Sequence, residues 1–322
     1  MAVVVLGKQL YAAISMSTLN GISFDVEDWF QVENLKEVIS YDDWQRCDLR
    51  VIQNTRKILH ILDRHNTRAT FFVLGWVAER CPELVEEITD AGHEIASHGY
   101  GHELVYNLTP EDFRKDLLQS KNILEAITGS PVSGYRAPSF SITPESSWAF
   151  GILKNLGFSY DSSIFPTSFH NRYGFDGTSC SPFRHSNGLI EIPLSIYRFC
   201  GANFPVGGGG YFRLFPYACF RRLCLRLQAR RKAVVFYLHP WELDPEQPRM
   251  NVRFNYRLRH YINLEKTEIR LEKLLNEFSF VPLLELAREY FPVKTESASD
   301  AMQKVQGTSK GHQPGVFSKN DV

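Results

Sequence analysis

Short apolar runs alternate with longer amphipathic runs along most of this 322-residue chain. This alternation is typical of βα units, in which parallel strands are separated by helices that pack on the sheet. Seven apolar runs are predicted as strands, at residues 21–26, 69–74, 93–97, 131–137, 158–161, 189–194 and 233–238. We therefore predict an α/β fold, a distorted (β/α) barrel of about seven strands, with a doubly wound sheet as the structural alternative.

The amphipathic runs predict helices at residues 49–64, 82–91, 109–129, 143–156, 217–231, 265–278 and 283–290. Thr109 is a capping residue followed by a proline at the first helical position, and Gly129 ends the same helix. The long aromatic stretch at residues 165–188 interrupts this rhythm, and we interpret it as a substrate-facing loop. The glycine run at residues 207–210 has no lysine with serine or threonine after it, so we interpret it as a flexible turn and not a phosphate loop.

Charge and cysteine content narrow the classes of protein to consider. Lys plus Arg equals Asp plus Glu at 36 each, so no overall positive field favours nucleic acid, and we expect no nucleic-acid partner. The six cysteines form no CxxC pair, which argues against a zinc ribbon or a dense disulfide framework. A reducing compartment, the cytoplasm, is the expected location, with export or membrane association as alternatives.

The two ends of the chain differ in composition from its middle. The apolar stretches at residues 2–6 and 10–16 are shorter than the roughly 18 residues of a membrane span, so they do not indicate membrane insertion. A short signal peptide is the alternative. Residues 293–322 are rich in Ser, Lys, Gln, Gly and Asp and are predicted to be a disordered tail. The sequence predicts no oligomeric state.

Unusual polar residues follow the ends of separate predicted strands. They are Asp25, Glu27 and Asp28 after the first strand, His98 and His102 after the third, and Arg136, Asp161 and His239 after later ones. In a βα barrel the carboxyl ends of the strands share one rim, so we expect these side chains to converge.

The residue types at this rim indicate metal-assisted hydrolysis. His98 and His102 are four residues apart, the spacing of one helical turn, and two histidines with one carboxylate leave a metal position open for water. Arg136 can orient a carboxylate through paired hydrogen bonds, and His239 can act as a general acid. Each residue alone is more simply explained as a surface or structural side chain, and only the set points to catalysis.

Ordered motifs give a family resemblance over roughly residues 20–290. Phe24-Asp25, the segment at residues 68–72, His93 to His98 with His102, the segment at residues 135–138 and Leu238-His239-Pro240 occur in the order of the polysaccharide deacetylases. This is the NodB-homology family, carbohydrate esterase family 4. The segments at residues 25–30, 170–174, 208–213 and 239–242 resemble a subgroup found with exosortase and exopolysaccharide clusters.

The resemblance implies an enzyme that removes acetyl groups from N-acetylated sugars with a divalent metal, usually zinc. It assigns Asp25 as the catalytic base, His98 and His102 as metal ligands and Arg136 as the partner of the base. It assigns His239 as the general acid, Asp161 as the acidic residue that orients it, and a backbone amide near Ser139 as the oxyanion donor. Residues 20–292 would form the catalytic domain, after an N-terminal extension at residues 1–19.

The first motif departs from the family pattern, in which the metal carboxylate directly follows the base. Val26 occupies that position here. Either Glu27 or Asp28 must then be the third ligand, and we favour Glu27 because alternation along a strand places it on the same side as Asp25. The change also leaves open a protein that binds no metal.

Three functions remain in competition. The leading one is N-deacetylation of an exopolysaccharide or its lipid-linked precursor, with Tyr135, Ser139, Tyr173 and Trp241 expected to contact the glycan. The second is metal-independent hydrolysis of small cyclic amides or ureides on the same fold. The third is a non-catalytic glycan-binding module, which the presence of both Asp25 and His239 disfavours.

Overall fold

The fold is built on eleven β-strands within the described residues. The computed structural model describes residues 19–167, 174–175, 177–199 and 202–292. Its strands are β1 (Asn20–Val26), β2 (Thr70–Val73), β3 (Glu94–Ser97), β4 (Gly134–Tyr135), β5 (Tyr160–Asp161), β6 (Phe183–Arg184), β7 (Ile190–Glu191), β8 (Ile196–Phe199), β9 (Ala202–Pro205), β10 (Val235–Leu238) and β11 (Phe280–Val281).

Nine of these strands form one sheet. Its order is β10–β1–β2–β3–β4–β5–β7–β6, and β11 pairs with the start of β1. All pairs are parallel except β6 with β7. Within the described residues the sheet is an incomplete barrel that starts at β10 and ends at β6, while β8 and β9 form a separate antiparallel hairpin. The predicted α/β, barrel-like architecture is confirmed.

The α-helices of the described residues fill the connections. They are α1 (Val51–Arg64), α2 (Gly75–Arg80), α3 (Pro82–Asp90), α4 (Pro110–Thr128), α5 (Ala149–Asn155), α6 (Gly209–Leu214), α7 (Tyr217–Ala229), α8 (Phe254–Tyr261), α9 (Thr267–Glu277) and α10 (Leu283–Tyr290).

The longest helix, α4, begins and ends as its sequence predicts. The hydroxyl of Thr109 accepts a hydrogen bond from the backbone N–H of Asp112, and Pro110 occupies the first turn. Gly129 ends the helix in the left-handed conformation, at φ 63°. These local signals fix both ends of the helix independently of its packing.

Two apolar clusters lie on opposite faces of the sheet. On β1, Ile22 and Phe24 belong to the cluster that includes helical side chains such as Ile58. A second cluster on the opposite face includes Phe72 and Tyr237. The alternate residues of β1 therefore point into the barrel, which is where its polar side chains lie.

Helix α10 covers the amino-terminal end of the barrel. The backbone N–H of Leu283 donates to Thr70 Oγ1 at the start of β2, and a Cβ at Gly21 would lie 2.4 Å from the Leu283 side chain. This end is therefore filled by packing, which leaves the opposite, carboxyl-terminal end for a site.

The glycine run differs from the flexible turn that we expected. Gly208 has φ 119°, and a Cβ there would lie 2.0 Å from the Tyr237 carbonyl oxygen. Gly209 and Gly210 begin α6. Glycine is needed at Gly208 because the backbone lies directly against β10.

The predicted limits of the domain stay a prediction. The N-terminal residues 1–18 and the tail at residues 293–322 lie outside the described residues, as do residues 168–173 and 176 of the aromatic stretch. None of the helices in the described part of the chain has the length and apolar character that a bilayer span requires.

Candidate active site

Polar side chains from separate strands meet at the carboxyl-terminal end of the sheet. Asp25 lies on β1 and Glu27 follows its end, His98 follows β3, Arg136 follows β4 and His239 follows β10. The first four are buried, and the His239 side chain is 17% exposed. The sheet thus brings together residues that are more than 200 positions apart in sequence.

A carboxylate and two imidazoles form a compact group of potential metal ligands. One ligand atom each from Glu27, His98 and His102 lies within 4.8 Å of the others. Oε2 of Glu27 lies 2.7 Å from Nε2 of His102. Nδ1 of His98 lies 2.8 Å from the Arg136 carbonyl oxygen, to which it can donate. That hydrogen bond leaves Nε2 of His98 with its lone pair available.

The chemistry of this group fits a divalent metal. Oε2 of Glu27 is buried and has no hydrogen-bond partner, despite its short contact with His102. Burial lowers the pKa of His98 to about 4, so the imidazole is neutral and able to bind metal at neutral pH. Burial opposes ionisation of Glu27, but the nearby imidazoles outweigh it and lower its pKa. One carboxylate oxygen and two imidazole nitrogens match the donor set of open catalytic zinc sites.

The two histidines lie on a loop, and not on the helical turn that their spacing suggested. His102 is in the left-handed region at φ 53°, and Gly99 at φ 75°. The carboxylate of Asp116, on α4, accepts hydrogen bonds from the backbone N–H groups of Tyr100 (2.9 Å) and Gly101 (3.1 Å). Asp116 therefore fixes the loop. Its position inside an ordinary helix gave no sequence signal.

Arg136 holds the carboxylate of Asp25. Its Nη1 donates to Asp25 Oδ1 and to Ser23 Oγ, each at 2.7 Å. Its Nε donates to the Ser162 carbonyl oxygen at 3.1 Å, and its Nη2 donates to the Ser162 hydroxyl at 2.9 Å. Arg136 is completely buried, and Asp25 balances its charge while four of its five N–H donors have partners within the protein. This arrangement leaves Asp25 Oδ2 directed toward His239, 3.9 Å from its Nε2.

His239 is oriented by Glu242. Nδ1 of His239 lies 2.7 Å from Oε1 of Glu242, whose other oxygen accepts from Nε of Arg213 at 2.6 Å. Burial disfavours the imidazolium, but the carboxylates of Glu27 and Glu242 outweigh it and raise the pKa of His239 to about 9. His239 is therefore protonated at neutral pH, with Nε2 3.5 Å from Oε1 of Glu27.

The expectation that Asp161 orients His239 is wrong. Asp161 is paired in register with Tyr135 and Glu191, and it lies on the outer face of the sheet. Its carboxylate accepts from the Ser163 hydroxyl at 2.6 Å. Since adjacent residues of a strand point to opposite faces, Asp161 cannot reach the interior that holds His239. Glu242, three residues after His239, has this role, and the sequence signal for it was the capping-box spacing.

Asp28 lies outside the group of ligand atoms. Its Oδ1 accepts from the Trp29 N–H at 2.8 Å, and its Oδ2 accepts from the N–H groups of Arg50 and Val51 at 2.7 and 2.8 Å. It thus caps the start of α1 from a distant segment. Burial raises the pKa of Asp28 to about 6, against the effect of these three donors.

The four residues expected to contact substrate differ in where the structure places them. Tyr135 is 1% exposed, with its ring against Phe113 and Phe158 in the core, so it cannot contact a glycan. Tyr173 lies outside the described residues. Ser139 is half-buried next to Arg136 and takes the left-handed conformation at φ 52°. Such strained backbone is typical of functional loops.

Trp241 lies beneath the site. Its Nε1 donates to Oε1 of Glu27 at 3.1 Å, which explains why only the other oxygen of Glu27 lacks a hydrogen bond. Its ring stacks between those of His239 (5.2 Å) and His260 (4.4 Å). Trp241 is only 5% exposed, so it offers little surface to a sugar. Its main role is to position the carboxylate of Glu27.

Two sequence families match the chain. Residues 36–160 match the polysaccharide deacetylase family, and residues 162–288 match a domain family of unknown function. The first match includes His98, His102 and Arg136, and the second includes His239. Asp25 and Glu27 precede both.

Curated relatives share part of the chain. A peptidoglycan deacetylase of Helicobacter pylori is 32% identical over 159 residues, which cover 44% of this chain and 52% of that protein. A peptidoglycan-N-acetylglucosamine deacetylase of Bacillus cereus is 34% identical over 87 residues, which cover 27% of this chain and 32% of that protein. The chain thus spans about half or less of the length of these relatives.

Solved structures share the fold. A Mycobacterium smegmatis protein solved as a proposed polysaccharide deacetylase has a TM-score of 0.57 at 20% identity, with 96% of each chain covered. The PuuE allantoinase has a TM-score of 0.56 at 15% identity, with 85% of this chain and 90% of that chain covered. These likenesses support the barrel architecture, while the sequence matches identify the domain. Residues 36–160 of the chain match the polysaccharide deacetylase family, and this part of the chain is therefore a polysaccharide deacetylase domain, of the NodB-homology proteins of carbohydrate esterase family 4.

Proposed function

We propose that the chain is a metal-dependent hydrolase that removes the N-acetyl group from an N-acetylated glycan. The observation that carries this proposal is the buried group of Glu27, His98 and His102, with the imidazole of His239 within 3.9 Å of both Glu27 and the held carboxylate of Asp25. The relatives named as peptidoglycan deacetylases supply the substrate class.

The residues of the chain divide the proton transfers of amide hydrolysis between them. Asp25, with Oδ1 held by Arg136, accepts a proton from the attacking water at its Oδ2. His239 enters the reaction protonated and gives its Nε2 proton to the departing sugar amine, while Glu242 keeps its Nδ1 side fixed. The products are acetate and a free amino sugar. A backbone amide near Ser139 would donate to the oxyanion.

Glu27, His98 and His102 would hold the metal. When bound, a divalent cation would supply Lewis acidity toward the acetamide oxygen and make water a better nucleophile. We propose zinc, because two imidazoles with one carboxylate suit its borderline softness. Trp241 and the Arg136 carbonyl fix the orientations of Glu27 and His98 before the metal arrives.

We propose an exopolysaccharide or its lipid-linked precursor as the glycan and the cytoplasm as the compartment. The support for this narrower substrate is the likeness of the segments at residues 25–30 and 208–213 to the exosortase-associated subgroup. The domain at residues 20–292 would carry the whole reaction.

Acetate release from N-acetylglucosamine oligomers tests the proposed function. We expect release that stops with a chelator, resumes with zinc and is absent in Asp25→Asn. Allantoin serves as a parallel substrate. Turnover of allantoin that is insensitive to chelator, without acetate release, would instead support the cyclic-amide hydrolase. Glycan binding without turnover of either substrate would support the binding module.

A further inference from the structure

A cavity of about 410 Å³ connects the catalytic end of the barrel to the surface beside α8. Buried or nearly buried residues line one part of it, among them His239 and Trp241. Leu214 (50% exposed) and Leu258 (47% exposed) line it where it meets solvent. Two exposed leucines therefore lie at the opening beside the proposed acid, together with the exposed polar residues Asn255 and Arg259.

A second cavity, of about 540 Å³, flanks the other side of α8 and shares Leu258 and Ile262 with the first. Phe254 lines it and is 74% exposed, the highest value among the large apolar side chains described. Phe254 and Leu258 are four residues apart on one side of α8. Together with Leu214 they form one apolar patch around the opening, which we call the α8 patch.

Arginines outnumber acidic residues along the segment that carries α8. Residues 245–262 contain the four arginines 249, 253, 257 and 259 and a single acid, Glu246. Glu242 and Asp244, which precede this segment, are buried and paired with Arg213 and Arg50, and Glu37 pairs with Arg253 at 3.3 Å. All four arginines are exposed, so this segment presents net positive charge beside the α8 patch.

We propose that the α8 patch docks on an anionic lipid bilayer, with Phe254, Leu258 and Leu214 entering the interface and the arginines contacting lipid headgroups. An exposed phenylalanine and leucines with arginine beside them are the composition of helices that lie in a membrane interface. A soluble anionic glycan would engage the arginines but leave the leucines without partners. A second copy of the chain would bring like charges together across a two-fold interface.

Docking in this orientation places the opening of the cavity, and His239 at its buried part, toward the membrane surface. If the proposed function holds, the glycan that reaches His239 is one anchored in that membrane. This consequence for the substrate rests on the proposed function, whereas the docking itself does not.

Sedimentation of the full chain with vesicles tests the docking. We expect binding to vesicles of phosphatidylcholine with phosphatidylglycerol, and weak binding to phosphatidylcholine alone. Arg249→Glu with Arg257→Glu should weaken binding by more than 25-fold, since each arginine near an anionic surface is worth about fivefold, equivalent to ~1 kcal/mol. Phe254→Ser with Leu258→Ser should weaken it by at least tenfold.

Matched controls lie elsewhere on the surface. Ile269→Ser removes an exposed apolar side chain from α9, and Lys154→Glu reverses an exposed charge on α5; both should bind vesicles as the wild type does. Thermal unfolding checks that every variant is folded.

Three outcomes would overturn the docking. They are absence of binding to anionic vesicles, full binding by the double serine variant, and stronger binding to soluble alginate than to vesicles. Concentration-dependent dimers that the double serine variant abolishes, without vesicle binding, would assign the α8 patch to a second copy. Acetate release from soluble oligomers is scored separately, so failure of the proposed function is recognised independently.

Discussion

Oε2 of Glu27 lies 2.7 Å from Nε2 of His102, yet it makes no hydrogen bond there or elsewhere in the described residues. A buried carboxylate oxygen without a partner is costly unless another group completes it. Glu27 stands two positions after Asp25, where the family pattern has its metal carboxylate one position after the base. Glu27 follows the end of β1, where its N–H donates to the Asp25 carbonyl oxygen at 3.0 Å, and its side chain reaches the two histidines from there.

Glu27→Gln should lose the metal. Removing a charged ligand should weaken metal binding by roughly 100-fold or more, since even the outer partners of metal ligands contribute 10–100-fold. Elemental analysis after dialysis measures the effect. Asp28→Asn is the matched control, because Asp28 caps α1: it should keep its metal and lose only ~1–2 kcal/mol of stability. The reverse pattern would assign the ligand to Asp28.

Asp25→Asn should separate catalysis from metal binding. Asparagine keeps the size of the side chain but cannot accept the proton from water, so acetate release should fall by about 10²–10⁴-fold. The metal content should stay at the wild-type level, because Asp25 is outside the ligand group. A variant that keeps full activity would show that another group is the base.

The Glu242→Gln variant should move the alkaline limit of activity. A general acid must be protonated, so activity should be present below the His239 pKa of about 9 and lost as the pH rises through it. Without the Glu242 carboxylate that pKa falls, and the loss should begin at lower pH. Asp161→Asn, on the outer face, should leave the alkaline limit unchanged. Acetate release measured as a function of pH shows whether Glu242 or Asp161 orients His239.

Glu191 should make stability depend on pH. Burial raises its pKa from 4.5 to about 8, so the folded state keeps a proton that the unfolded chain releases. The stability this carboxyl contributes is fully present below about pH 4 and is lost as the pH rises through 8, by on the order of a few kcal/mol. Glu191→Gln cannot ionise and should gain stability relative to the wild type over that window. Urea unfolding of both proteins at several pH values tests this. A free energy of unfolding that depends on pH in the same way for the wild type and for Glu191→Gln would contradict it.

The positions of seven strands and the caps of the longest helix could be predicted from local sequence patterns. The structure has a strand within each of the seven predicted runs. These runs could be recognised because the strands of a parallel sheet that is buried on both faces consist mostly of apolar residues. Strands β4, β5 and β7 are only two residues long, since the chain leaves the sheet early to build loops. The short helix α2 and the β8–β9 hairpin were not predicted because neither has a clear period.

The sequence predicted the site residues only where they lie at the ends of strands. Those ends placed Asp25, His98, Arg136 and His239 at one rim. The roles of Asp161 and Tyr135 depended instead on which face of a two-residue strand each occupies, and a short run carries too little alternation to decide that. Asp116 and Trp241 act through contacts that only the tertiary structure creates.

The metal content of the purified protein tests the central claim most directly, measured beside acetate release with and without a chelator. We predict about one zinc or similar divalent ion per chain, and acetate release that the chelator abolishes and added metal restores. A folded protein that takes up no divalent metal, or acetate release that the chelator leaves unchanged, would contradict the assignment of Glu27, His98 and His102.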